Sequence, residues 1–319
     1  MDSAALNAVY SSMPALNVRL FEPYPRDVWA TGQIAGDRVW VRCDGQARFP
    51  ERVAVIAEGL QHWRVIAASV EALQDAVVRL VREILRTELA LLGSFTMHAA
   101  CAGSDGGLAV LFAGATGAGK TTLALELARS GMLISGDQTE LLRDSAGQLL
   151  AVGFPWSIRV GQGTVRALGL DSVYPRVLLR STREGPQPTA SSGSDEKLEF
   201  TFDETKSLLG CAVHPAARLG CVVAVRNVSG LAAPTAAVVG ADKGGDMLRA
   251  HAREPDPSFG PFWLPIGKQR PVEAQALQVL RDLVVLVPVV ELQWSPRQHK
   301  AADALAALLA AVAPAMGAR

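Results

Sequence analysis

One octapeptide constrains this chain more than anything else in it. Gly114-Ala115-Thr116-Gly117-Ala118-Gly119-Lys120-Thr121 fits G-x-x-x-x-G-K-[ST] at every fixed position. With the chain's own glycine, lysine and hydroxyl-residue frequencies, chance matches should number on the order of 0.005. The lysine is one of six, against 25 arginines, so a lysine-rich composition does not explain its place in the pattern. Glycines at these spacings let backbone N–H groups turn toward one point and cradle phosphate oxygens, and a helix starting there aims its positive end at the same anion. The flanks agree with this reading. Leu108 to Ala113 is an apolar run of strand length, and Leu123, Leu125, Leu127 and Ala128 mark an apolar-periodic helix after the loop. Lys120 should then reach the β- and γ-phosphates of a nucleotide, and Thr121 should ligate Mg²⁺. Thr122 follows as the last residue of the phosphate cradle.

The rest of the chain organises around that loop. Residues 1–68 alternate short apolar runs (Val18 to Phe21, Arg38 to Val41, Val53 to Ile56, Trp63 to Ala67) with turn formers, which predicts a small strand-rich leading region. Between residues 69 and 93 the apolar positions Val70, Leu73, Val77, Leu80, Val81, Ile84 and Leu85 recur at helical spacing, with Ser69 as N-cap and Gly93 as stop. Residues 94–319 form the catalytic domain of this reading. Phe95 to Ala102 and Leu108 to Ala113 read as the two strands of a hairpin, Thr121 to Ser130 as a helix, and Met132 to Ser135 as a short buried strand. Further strands are expected at Glu140 to Leu142, Leu149 to Phe154, Leu219 to Val225 and Leu283 to Leu292, with a terminal helix over Ala301 to Val312. The polar, Pro- and Gly-containing stretch from Arg180 to Glu196 reads as a mobile loop or lid. The fold class is α/β, a nucleotide-binding core.

Composition excludes several alternatives. With 31 basic and 31 acidic residues the formal net charge is zero, which argues against a nucleic-acid binder working through an overall positive field. The apolar share is 49% and the charged share 19%, too apolar for a disordered chain. Met1-Asp2-Ser3 carries an acid where an export signal wants a base, and the longest charge-free stretch, Leu89 to Ser104, is shorter than the roughly 20 residues that span a bilayer. Cys43, Cys101, Cys211 and Cys221 lie far apart with no CxxC pair, so they read as buried reduced thiols. The expectation is a cytoplasmic protein that contacts neither membrane nor nucleic acid.

A phosphate clamp also needs an acid. Asp137 follows Met132-Leu133-Ile134-Ser135-Gly136, which puts it just past the carboxyl end of a strand, where open α/β sheets gather their ligands. It is the candidate to touch Mg²⁺ and to activate an acceptor, with Glu291 as the rival acid. His98, in Met97-His98-Ala99-Ala100, is either an ordinary hydrogen-bonded core histidine or part of the site. Arg159 and Lys197 are cations without a carboxylate at short range, read either as solvated charge or as phosphate contacts.

In order, His98-Ala99-Ala100, the loop Gly114 to Thr122, the stretch Leu123 to Gly131 and Leu133-Ile134-Ser135-Gly136-Asp137 resemble the catalytic domain of the HPr kinase/phosphorylase family. That domain is related in fold to phosphoenolpyruvate carboxykinase, and it uses ATP and Mg²⁺ to phosphorylate a serine on a partner protein. The resemblance is specific over residues 95–160, architectural from there to the C-terminus, and absent over residues 1–68. It implies that Asp137 takes the serine hydroxyl proton, with His98 and Lys120 beside it in the catalytic set. Gln138 stands where the family has a second Asp, Thr122 where HPr kinases often show Glu, and the downstream glycine-rich signature tied to phosphorolysis is missing. These departures resemble the HPr-kinase-related enzymes outside sugar regulation, including those that phosphorylate a serine on a ribosomal precursor peptide. Enzymes of this fold assemble as oligomers, so a homo-oligomer is a further expectation of the resemblance.

Three functions compete at this point. A phosphotransferase needs Asp137 in line with the transferred group. A nucleotide-dependent switch or ATPase without a hydroxyl acceptor does not. A lyase of the carboxykinase type needs a second-metal set of Lys and His that is not apparent among five histidines and six lysines.

Overall fold

The computed structural model describes residues 19–20, 29–34, 37–42, 53–58, 62–67, 69–104, 107–154, 158–170, 197–251 and 273–317. In chain order the elements are β1 (Arg19–Leu20), β2 (Trp29–Ile34), β3 (Asp37–Arg42), β4 (Val53–Glu58), β5 (His62–Ala67), α1 (Val70–Leu91), β6 (Phe95–Met97), β7 (Ala99–Ser104), β8 (Leu108–Gly114), α2 (Lys120–Ala128), β9 (Gly131–Ser135), β10 (Thr139–Arg143), β11 (Leu149–Val152), β12 (Ile158–Gly161), α3 (Gln162–Ala167), β13 (Lys197–Phe200), α4 (Phe202–Leu209), β14 (Ala212–Val213), β15 (Ala216–Asn227), β16 (Thr235–Val239), α5 (Ala241–Arg249), α6 (Glu273–Leu286), β17 (Val289–Trp294) and α7 (Ala301–Gly317). The chain divides into two compact units, with the main boundary between Glu88 and Leu89, inside α1.

In the first unit β1 to β5 form an antiparallel meander in sequence order. Registers such as Trp29↔Arg42, Val41↔Ala54 and Val53↔Ala67 tie each strand to the next. Four of the strands fall on the apolar runs of the leading region. β2 does not: Trp-Ala-Thr-Gly-Gln-Ile alternates too weakly to announce a strand, and it is held by backbone pairing to β1 and β3. Helix α1 begins directly after Ser69, whose carbonyl accepts from the Leu73 N–H at 3.1 Å, and it stops before Gly93 at φ +82°.

The second unit is mixed α/β, built on a curled ten-stranded mixed sheet in the order β14-β9-β7-β8-β15-β11-β10-β6, with β17 on the other half of β15 and β16 beyond it. β8, β15 and β17 run parallel, whereas β7 is antiparallel to both β8 and β9. Strand alternation divides the core into two layers. Ala100, Ala102, Phe112, Val223, Val225, Val290 and Leu292 face α2 and α7, while Ala99, Cys101, Leu111, Val222, Ala224 and Val289 face the inside of the curl with α6. No helix among the described residues is long and apolar enough to cross a membrane.

Two expected strands come out differently. Phe95 to Ala102 is not one strand: it breaks at His98, so that β6 pairs with β10 (Met97↔Thr139) while β7 pairs with β8 (Ala99↔Ala113). The break lets the sheet curl over, and the buried Glu140 carboxylate fastens the returning arm by accepting from Ser94 Oγ at 2.9 Å and Thr96 Oγ1 at 2.6 Å. Leu283 to Leu292 is not a continuous strand either. Leu283 to Leu286 closes helix α6, whose buried positions Val279, Leu280 and Leu283 keep helical spacing, and the strand starts only at Val289, beyond Pro288. β-branched composition loses there to the burial pattern. The Arg180 to Glu196 stretch lies outside the described residues, as does Cys43.

The curl depends on close backbone approach at Gly153, where a Cβ would stand 1.8 Å from Ile134 O. Gly153→Ala should therefore destabilise the second unit by about 3 kcal/mol, the upper end of overpacking costs. A denaturation midpoint equal to that of the unsubstituted protein would contradict so close an approach.

Candidate functional site: the glycine loop at the sheet edge

β8 delivers the chain to the loop at the edge where β15 and β17 also end, since Gly114 is in register with Val225 and Val225 with Leu292. Side chains are excluded at that point: a Cβ on Gly114 would lie 2.5 Å from Val225 O. Gly117 (φ +80°) and Gly119 (φ +92°) hold left-handed backbone, and a Cβ on Gly119 would stand 2.3 Å from Trp294 Cζ2. The buried Trp294 donates its indole N–H to Ala118 O at 2.9 Å, and Asn227 Nδ2 reaches Gly117 O at 3.5 Å. The glycines of the pattern are thus required both by conformation and by space. Ala115, Thr116 and Gly117 are exposed at the loop's tip, and Ala118 is buried beneath.

Lys120 opens α2 and is only 6% exposed. Its ammonium donates to Gly114 O at 2.9 Å and Ala115 O at 3.1 Å, which holds it across the loop's mouth. Thr121 Oγ1 donates to Gly136 O at 3.0 Å, and Thr122 Oγ1 shares a 2.7 Å hydrogen bond with Thr164 Oγ1 of α3. The N-cap of α2, Gly119, offers no side-chain acceptor, so none of its own capping groups occupies the first-turn amides.

Asp137 and His98 meet at the same edge. The buried Thr139 hydroxyl donates to Ala99 O at 2.9 Å and accepts from Ser135 Oγ at 2.5 Å, which pins the β9–β10 turn against the first residue of β7. Residues 136 to 138 therefore project beside the break at His98, whose Nε2 lies 2.9 Å from Asp137 Oδ1. The Asp137 side chain is 54% exposed and the histidine 14%, so the ring orients the carboxylate from below while the carboxylate faces outward. His98 N–H is in turn fixed by His251 O, just past α5, at 3.2 Å. Gln138 is buried, and its Oε1 has no hydrogen-bond partner.

The other singled-out cations sit elsewhere. Arg159 is exposed on β12, opposite Glu199 of β13 in a two-stranded ribbon, and no hydrogen bond or ion pair joins it to the loop among the described residues. Its neighbour Ile158 abuts Gly136, where a Cβ would meet Ile158 Cγ2 at 2.7 Å. Lys197 begins β13, in register with Gly161. Glu291, the rival acid, is committed to cations: it accepts from Lys243 Nζ at 2.6 Å, Arg226 Nη1 at 2.8 Å and Gln293 Nε2 at 3.3 Å. The Lys243 and Arg226 hydrogen bonds hold its carboxyl at about 2, well below the ordinary 4.5. Burial pushes the Cys221 thiol up to about 12 and raises that of Cys101 as well, which removes both as nucleophiles.

The groups present fit a nucleotide with Mg²⁺: a glycine loop with left-handed backbone at Gly117 and Gly119, a lysine across its mouth, and a hydroxyl and a carboxylate as hard oxygen ligands. Among the described residues no three His, Cys, Asp or Glu side chains cluster to hold a metal by themselves. Compared with protein-family models and with curated proteins, the chain matches none.

The depressed Glu291 carboxyl gives a pH prediction. Its folded value lies below its unfolded one, so it stabilises the fold above about pH 4.5, and the contribution is lost as pH falls toward 2. The stability gap between the unsubstituted protein and Glu291→Gln should be widest at neutral pH and shrink between pH 4.5 and 2. A gap that does not change with pH would contradict the ion-paired carboxylate.

Proposed function

We propose that this chain is an ATP- and Mg²⁺-dependent phosphotransferase that phosphorylates a serine hydroxyl on a protein or peptide, with an HPr-kinase-related catalytic domain. The observation that carries the reading is the 2.9 Å contact between His98 and Asp137 at the sheet edge shared with the glycine loop. A nucleotide switch has no need of an exposed carboxylate oriented by a half-buried imidazole, and a hydroxyl-activating enzyme does. ATP with Mg²⁺ would supply the activated phosphoryl group and its charge neutralisation.

The chain's own residues then divide the work. The loop amides other than that of Ala118, which donates to Ala115 O, would hold the phosphates together with the Lys120 ammonium, which would exchange the carbonyls of Gly114 and Ala115 for phosphate oxygens. Thr121 Oγ1, hydrogen-bonded to Gly136 O, and Asp137, the next residue, would hold the metal. His98 donates from Nε2 to Oδ1 of Asp137, and the carboxylate so oriented would accept the proton of the attacking hydroxyl. Catalysis on this scheme is positioning and charge stabilisation, in keeping with a loose phosphoryl-transfer transition state. A ribosomal precursor peptide is one acceptor class consistent with the resemblance, and the cytoplasm is the proposed compartment.

Mg²⁺ and ATP should raise the melting temperature, since a ligand at a hundredfold excess over its dissociation constant adds about 2.7 kcal/mol. Lys120→Ala should abolish most of that rise, and no rise at millimolar nucleotide in the unsubstituted protein would sink the nucleotide assignment. Asp137→Asn keeps the shape and can still accept from His98, but it cannot take a proton. Transfer to a hydroxyl acceptor should fall roughly 10²- to 10⁴-fold while nucleotide affinity persists. Transfer within a few-fold of normal would remove Asp137 as the base, and nucleotide binding with no transfer to any serine acceptor would favour the switch.

A further inference from the structure

Glycines give the loop its close fit, and they also leave its peptides free to turn. The peptide joining Ala118 to Gly119 ends on a residue that takes positive and negative φ with similar ease, so nothing local decides which way it lies. A trans peptide is planar, with its C=O and N–H on opposite sides, so fixing one of them fixes the other. In this chain a distant side chain fixes the carbonyl. Trp294, buried at the end of β17, donates its indole N–H to Ala118 O at 2.9 Å, which directs the Gly119 N–H away from the indole. Among the described residues nothing accepts from that N–H. The carbonyls on either side are taken up as well. Gly117 O accepts from Asn227 Nδ2 at 3.5 Å, and Gly119 O accepts from Leu123 N–H at 3.0 Å. The two side-chain donors belong together, because Asn227 and Trp294 are register partners at the ends of the parallel strands β15 and β17. Val228 N–H closes that pairing by donating to Trp294 O at 2.9 Å.

We propose that Trp294 is a positioning residue for nucleotide binding: its indole N–H holds the Ala118 to Gly119 peptide in the one orientation that leaves the Gly119 N–H for a phosphate oxygen, with Asn227 steadying the preceding peptide. A loop whose peptide turned freely would be competent for only part of the time, and its apparent affinity would fall by that fraction. The anchor removes the alternative before any ligand arrives, so the ordering is done during folding rather than on binding. Trp294 serves this purpose better than a flexible donor. Its ring packs on Gly119, where a Cβ would stand 2.3 Å from Cζ2, and a buried indole N–H needs an acceptor of its own, which Ala118 O provides. Asn227 is exposed and its contact is longer, so it is the weaker of the two. This inference rests on the nucleotide-binding reading and assigns to that site two residues that act on it through the loop backbone.

The test measures affinity and binding rates for Mg-ATP and Mg-ADP on the full chain, by calorimetry and stopped flow. Trp294→Phe keeps an aromatic ring against Gly119 and removes the N–H. It should weaken both nucleotides between about threefold and tenfold, the fold-change that one net hydrogen bond is worth. The loss should appear in the association rate, which scales with the competent fraction of loops, while dissociation changes little. Asn227→Ala, at an exposed position, should show the same pattern with a smaller loss. Val279→Ala, in the core layer that packs on α6, supplies a variant that loosens the second unit without touching the loop, and its nucleotide affinity should match that of the unsubstituted protein. If Trp294→Phe fails to fold, replacement of the Trp294 indole by benzothiophene keeps the bicyclic shape, lacks the N–H, and must show the same slower association. An equal loss in Val279→Ala, or a loss confined to the dissociation rate, overturns the anchor. So does nucleotide binding that Lys120→Ala abolishes and the Trp294 variants leave intact, and that result spares the nucleotide site. No binding of Mg-ATP or Mg-ADP by the unsubstituted protein overturns the underlying reading, and the anchor's role with it.

Discussion

The candidate site depends on backbone meeting backbone at the carboxyl end of β8. Gly114 can lie against Val225 only because it has no side chain, and Gly119 can lie under the Trp294 indole for the same reason. Those two contacts set the height of the loop above the sheet and aim the first turn of α2. From them follow the position of Lys120, the reach of Thr121 to Gly136 O, and the distance between the loop and Asp137. A methyl group at either glycine would meet backbone or a packed aromatic ring, which leaves little room for relaxation.

Sequence reasoning succeeds here where one local rule acts alone. The octapeptide, the α1 stop at Gly93, the β7–β8 hairpin and the β9 strand ahead of Asp137 are each read from adjacent residues, and each is present. It fails where the deciding partner is far along the chain. Nothing near Met97-His98-Ala99 announces that the strand must break so that the sheet can curl; the cause is the pairing with Thr139 and the buried Ser135–Thr139–Ala99 hydrogen bonds. Leu283 to Leu286 looks like strand by composition because its helical neighbours, not its residue types, decide the matter. Arg226, Lys243 and Trp294 carry no local motif at all, and their roles arise from strand order.

The polar groups at the edge are arranged so that rigid ones orient mobile ones. A half-buried imidazole holds an exposed carboxylate beside the loop, and on β15 and β17 a buried carboxylate holds two exposed cations. Each pair fixes a charge at a set place without burying it, which avoids the desolvation cost of a fully enclosed ion. Both sets are anchored in strands rather than in loops, so the spacing between them is inherited from the sheet.

The hydrogen bond from Trp294 to Ala118 has a temporal side. Its partners are 176 residues apart in the chain, and Gly114 and Val225, paired between β8 and β15, are 111 apart. During synthesis the glycine loop leaves the ribosome long before the strand that bears the indole, and the loop has neither its ceiling nor its neighbouring strand until then. The candidate site is consequently among the last parts of the second unit to be completed, and a nascent chain halted ahead of β17 would carry the whole octapeptide without its packed surroundings.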